Sequence, residues 1–203
     1  MIYSRAQKIG PAHQALLLAV LVAALATAFA GVPVRAQQSD VLRHYEDAYS
    51  LAARDGDLAL VRQYIARGAS PDRVDSDGRT PLINATIGGH VEIAEAVLAT
   101  KPKIDIRDKI GNSALIWAVI SDQYEIAELM LEAGANVDVQ NRQGLTPLML
   151  AAKQGVIDIV EMLLANNAHP NIRDYTGRAA LGWARESRNR RATKILIQAG
   201  AID

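Results

Sequence analysis

Four histidines, His13, His44, His90 and His169, are this chain's candidates for acid–base or metal chemistry near neutral pH, because it holds no cysteine. No His-x-x-His or His-Glu-x-x-His spacing occurs, so neither thiolates nor paired imidazoles are available for zinc. The missing thiols also exclude a disulfide framework, a catalytic cysteine and a lipid-modified N-terminal cysteine. A serine nucleophile would call for a Gly-x-Ser-x-Gly elbow, and none is present. Asp72, Asp75 and Asp77 before Gly78 resemble a calcium loop. With Gly78 in its sixth position, however, the first and twelfth fall on Arg73 and Asn84, where carboxylates are required. The aspartates are therefore expected in turns. Gly88-Gly89 lacks the Lys-Ser/Thr of a phosphate loop, and Asn84-Ala85-Thr86 matches a glycosylation triplet inside an expected helix. No catalytic residue, metal site or cofactor is expected. His90, after Gly89, is read as a loop histidine bonded to backbone.

Composition agrees with a non-reactive chain. There are 203 residues, with 22 basic and 22 acidic side chains, 50% hydrophobic and 4% aromatic content. Zero formal charge argues against a globally basic nucleic-acid binder and an acidic disordered tail. One basic cluster stands out: Arg185, Arg188, Arg190, Arg191 and Lys194, with Trp183 nearby. It reads either as a grip for an anionic partner or nucleic acid or, preferably, as a solvated terminal cap in which Trp183 replaces a core residue.

The elements that carry these residues repeat. Gly78, Gly111, Gly144 and Gly177 lie 33 residues apart, and Gly56 with Gly89 and Gly155 keeps the same period. Apolar pairs follow suit: Leu60-Val61 with Tyr64-Ile65, Ile93-Ala94 with Val97-Leu98, Ile126-Ala127 with Met130-Leu131, Ile159-Val160 with Leu163-Leu164, and Ala192-Thr193 with Leu196-Ile197. That spacing makes one stripe on a helix. Gly68-Ala69, Gly134-Ala135 and Gly200-Ala201 then stop each second helix. The pattern predicts five units, near 40–73, 74–106, 107–139, 140–172 and 173–203, each a turn, a short helix, a second helix and a loop. The histidines after His13 fall in different units at different register positions.

Thr80-Pro81-Leu82-Ile83-Asn84-Ala85 and Thr146-Pro147-Leu148-Met149-Leu150-Ala151, with the closing loop Gly134-Ala135-Asn136-Val137-Asp138, resemble the ankyrin repeat over about Asp40 to Asp203. The resemblance implies an all-α ankyrin-repeat solenoid with β-turn tips. Thr suits the N-cap, Pro the first helical turn and Leu the start of the buried face. There are departures. The family's histidine is replaced by Ile83, Ile116, Met149 and Gly182, the last unit lacks Thr and Pro, and Lys101-Pro102 stands where Gly-Ala belongs. Weaker coupling between units is expected there. Val41, Leu42, Tyr45, Ala48, Tyr49 and Ala52 give a lengthened first helix an apolar stripe, behind Ser39 or Asp40 as N-cap.

Residues 1–36 read differently. They carry no acidic residue, three basic ones (Arg5, Lys8, Arg35) and an apolar run from Ala15 to Ala30, the parts of a secretory signal peptide. Cleavage is expected after Ala36, with Ala30 as the second choice. Removing 36 residues, three of them basic, leaves 167 with 19 basic and 22 acidic side chains, a net charge of about −3. Localisation is therefore expected to be periplasmic or secreted. The alternative keeps the segment as an anchor and makes the protein a membrane-anchored scaffold.

Aligning the units marks a ribbon of turn tips and exposed helix positions, which the resemblance implies is where a protein partner docks on the concave face. Its candidate contacts are Arg79, Ile87, Ile110, Asn112, Ile120, Arg142, Leu145, Lys153, Tyr175 and Arg178. Ile110, Leu145 and Tyr175 would form an apolar row at water-facing tips, either packing tip on tip or anchoring a partner. The expected function is non-catalytic protein binding by a monomer, without nucleic acid, and without membrane once the signal is removed. Because the chain ends just after the last repeat, no appended domain is expected. Stress defence or neutralisation of a delivered toxin are further possibilities for such a protein.

Overall fold

The computed structural model describes residues 48–202. The signal segment with its cleavage site, His13, His44 and the opening of the first unit lie outside the described residues, as does residue 203. Ten helices occur among the described residues and no strand. They are α1 (48–55), α2 (Leu58–Ala66), α3 (Pro81–Gly88), α4 (Val91–Leu98), α5 (Ala114–Ile120), α6 (Tyr124–Glu132), α7 (Pro147–Gln154), α8 (Ile157–Ala165), α9 (Ala180–Glu186) and α10 (Arg190–Gln198). No helix is long and apolar enough to cross a membrane among the described residues.

Each unit is a helix pair, and like helices stack on like. Helices α3, α5, α7 and α9 pack one on the next, and so do α2, α4, α6, α8 and α10. The core lies between these two rows. Leu82, Ile83, Leu115, Ile116, Leu148 and Met149 enter it from the opening helices, and Ile93, Ile126, Met130, Ile159 and Leu163 from the second helices, all with at most 2% exposure. Burying such a side chain stabilises by roughly 1.5–3 kcal/mol, and no unit could do so alone. The family histidine's position is therefore filled by core residues in three units. At the first unit, Tyr49 stacks on Tyr64 with ring centroids 5.2 Å apart, and burial pushes its phenol up to about 12.

The period is written in the backbone as well. Every described residue with positive φ falls in one of three columns spaced by 33: 56, 89, 122, 155 and 188; 68, 101, 134, 167 and 200; 78, 111, 144 and 177. Glycine fills ten of these places, and Lys101, Asp122, Asn167 and Arg188 the other four. Lys101 thus takes the left-handed turn at φ 56° that glycine takes elsewhere. Coupling past Lys101-Pro102 keeps its hydrogen bond all the same: the Lys103 N–H donates to Asp72 Oδ1 at 2.7 Å. Equivalent bonds run from Asn136 to Asp105, His169 to Asp138 and Ile202 to Asn171, at 3.1, 3.0 and 2.8 Å.

Helix starts follow the sequence. The hydroxyls of Thr80, Ser113 and Thr146 accept the N–H of Ile83, Ile116 and Met149 at 3.2, 3.4 and 3.3 Å. Ala179, whose side chain carries no oxygen, leaves α9 without a side-chain cap.

Candidate functional site

One acidic or amide side chain builds each turn. Asp75, Asp108, Asn141 and Asp174 occupy one column, and Oδ1 of each accepts the backbone N–H of the residues two and four further on, at 2.8–3.0 Å. The turn closes through the glycine N–H three residues on, for instance Gly177 to Asp174 O at 2.9 Å. These are β-turn tips, and Asp75 serves a turn as its sequence suggested.

The second carboxylate oxygen reaches the opening helix. Asp75 Oδ2 accepts from Asn84 Nδ2 at 2.8 Å, Asp108 Oδ2 from Trp117 Nε1 at 2.7 Å, and Asp174 Oδ2 from Trp183 Nε1 at 2.9 Å. Burial pushes the Asp174 carboxyl up, but hydrogen bonds from the Thr176 hydroxyl, the Arg178 and Thr176 N–H groups and the Trp183 indole outweigh it. The group is held below its ordinary value.

Each indole so fixed presents a face to cations. The Arg79 guanidinium lies 5.3 Å from the Trp117 ring centroid, and Lys153 and Arg178 each lie 4.5 Å from that of Trp183. Arg79 also sits 3.6 Å from Asp77 and 3.9 Å from Asp108, while Arg178 pairs with Glu186. Trp183 does not replace a core residue, contrary to the sequence expectation. Its indole N–H has a carboxylate partner in the turn, which seats the half-buried ring beside the tip.

Of the sequence-derived contacts, Ile110 and Tyr175 are the most open apolar ones, 51% and 75% exposed. Arg142 and Lys153 are exposed; Arg79, Ile87, Ile120, Leu145 and Arg178 are half-buried. Asn112 is buried, its carboxamide oxygen accepting from Asn141 Nδ2 at 3.1 Å, so it joins two turns and is not an accessible contact. Ile110, Leu145 and Tyr175 occupy three different positions of the turn and so do not form the expected single row. Successive tips do touch. Lys109 N–H donates to Asp77 O at 3.0 Å and Tyr175 N–H to Gln143 O at 3.2 Å. The Tyr175 ring covers Gly144 closely enough that a methyl group there would meet its Cδ1 at 2.8 Å.

Sequence reasoning missed Trp117 and Leu150, and misplaced Trp183, in the column that begins with Asn84. A signal existed: both tryptophans stand nine residues after a turn aspartate. Arg185, Arg188, Arg190 and Lys194 of the basic cluster line an open cavity on the last unit.

His90 Nε2 donates to Arg54 O at 2.9 Å, so this histidine bonds backbone between units as expected. His169 pairs with Asp138 through Nδ1 and Oδ2 at 2.5 Å. Among the described residues no three His, Asp or Glu side chains gather in a way that could hold a metal ion.

A search of the curated proteins found no match. A family model described as ankyrin repeats (3 copies) matches residues 50–141 and again 131–203. The repeats of that family mediate protein–protein interaction and are typically non-catalytic. With the family model covering most of its length and its helix pairs stacked at a 33-residue period, the chain belongs to the ankyrin-repeat family.

Proposed function

We propose that this protein is a non-catalytic binding module, exported by its N-terminal segment to the periplasm or the cell exterior. There it binds a partner protein as a monomer, through its turn tips and the exposed side of its opening helices, the concave face of such a stack. The observation that carries the reading is the Trp183 site. An indole anchored to Asp174 and flanked by Lys153 and Arg178 stands near a tip bearing a 75% exposed Tyr175. Aromatic and Arg side chains on rigid supports are what binding hot spots are made of. Once the signal is removed the module engages neither nucleic acid nor membrane, since its net charge is slightly negative.

Two measurements test it. N-terminal sequencing of the exported protein should start at Gln37; retention of residues 1–36 would make it an anchored scaffold. Affinity capture from the native envelope should retain a partner that Ile110→Ser/Tyr175→Ser loses at an unchanged melting temperature. Equal capture by the folded variant removes this face as the docking site.

A further inference from the structure

We propose that the open end of the last unit is a second docking site, one that receives an acidic amphipathic helix. Arg185, Arg188, Arg190 and Lys194, with Thr193 and Ile197, line a cavity of about 600 Å³ there. The repeat register explains its shape. Arg185 is in register with Ala53, Thr86, Val119 and Ala152, and Thr193 with Val61, Ala94, Ala127 and Val160; all eight are fully buried. This surface is therefore the one that, in every earlier unit, is covered by the next pair of helices. Its geometry is made for a helix.

Its charge decides which helix. A cap needs only polarity, and mixed charges would supply it. Among its described lining residues this surface has four cations and no carboxylate. Lys194 continues a column that reads Arg62 in the first unit and Glu95, Glu128 and Glu161 in the next three, so the sign reverses between the middle units and the last. Arg188 holds φ at 56° in a column where Gly56, Gly89 and Gly155 do so freely and Asp122 does so at 54°. The strained residue is a cation at the lip of the cavity. Ile197, 50% exposed, supplies the apolar floor that the partner's hydrophobic stripe would cover. This surface is distinct from the tip-and-helix face, so either proposal can fail without the other.

The test uses the full chain and a fluorescein-labelled amphipathic Glu/Leu peptide, helical by circular dichroism, beside a scrambled peptide of identical composition. Anisotropy should show binding of the amphipathic peptide that weakens with salt. Arg188→Gly and Lys194→Glu should each lower its affinity about tenfold, the loss of one charge-assisted contact. Arg188→Gly should do so while the melting temperature holds or rises, an outcome that separates lost recognition from lost folding. Equal binding of the scrambled peptide would overturn the proposal in favour of simple attraction for polyanions. Absence of binding, or affinities unmoved by both variants, would overturn it in favour of a solvated cap.

Discussion

Oδ2 of Asp174 accepts the indole N–H of Trp183 at 2.9 Å, while Oδ1 of the same carboxylate gathers the N–H groups of the turn. One buried side chain thus ties tip to helix. Asp174→Asn would place an amide N–H against the indole N–H and should cost about 1–3 kcal/mol in urea unfolding, the penalty for an unmet buried donor. The pH dependence has a definite sign. A carboxyl held below its ordinary value of 3.8 contributes fully above that value and loses its contribution as pH falls through the folded value. Stability should therefore decline on acidification below about 4, and less steeply in Asp174→Asn. Equal slopes in the two proteins would remove Asp174 from the account.

Leu163 is fully buried between the helix rows. Leu163→Ala should cost roughly 2–5 kcal/mol by chemical denaturation. A loss under about 0.5 kcal/mol, the range of inert surface changes, would contradict its placement.

The left-handed columns offer a gain and a loss. Lys101→Gly should stabilise by about 0.5–1 kcal/mol, because the strain relieved exceeds the freedom added to the unfolded chain. Gly155→Ala should destabilise by at least about 1 kcal/mol, since φ is 79° and the new methyl would overlap Asn189 Nδ2. Midpoints in urea decide both, and no rise for Lys101→Gly would show that the strain is absorbed elsewhere.

His90 joins the first two units through Arg54 O, and its ring lies so close to Gly56 that a Cβ there would meet Cε1 at 2.7 Å. His90→Ala should cost about 1 kcal/mol and raise amide exchange in α1 and α2 before the later units. Uniform exchange across all units would mean that this bond does not guard the end.

Much of the fold was legible because a repeat states each requirement several times. The glycines at 78, 111, 144 and 177 all have positive φ, and Thr80 and Thr146 cap their helices as their type and place suggest. The recognition face was less legible. Asn112 reads as an exposed tip residue until Asn141 closes over it, and Trp183 reads as core until Asp174 claims its N–H. Asn112 meets its partner 29 residues on, in the next unit, whereas Trp183 meets its own nine residues back, a spacing that Trp117 and Asp108 share.

The period, the helix pairs and the positions of the caps were determined by sequence alone, since each rests on residue type and spacing within one unit. Tertiary structure decided which polar side chains serve the turns, that Lys153 and Arg178 flank the same indole, and that the last unit presents Arg185 where earlier units bury a small residue. The physical reason is stacking. Burial, the Lys153–Trp183 contact and the Asn112–Asn141 bond are settled by the adjoining unit, about one period away in the chain, and only the assembled helices bring the two together.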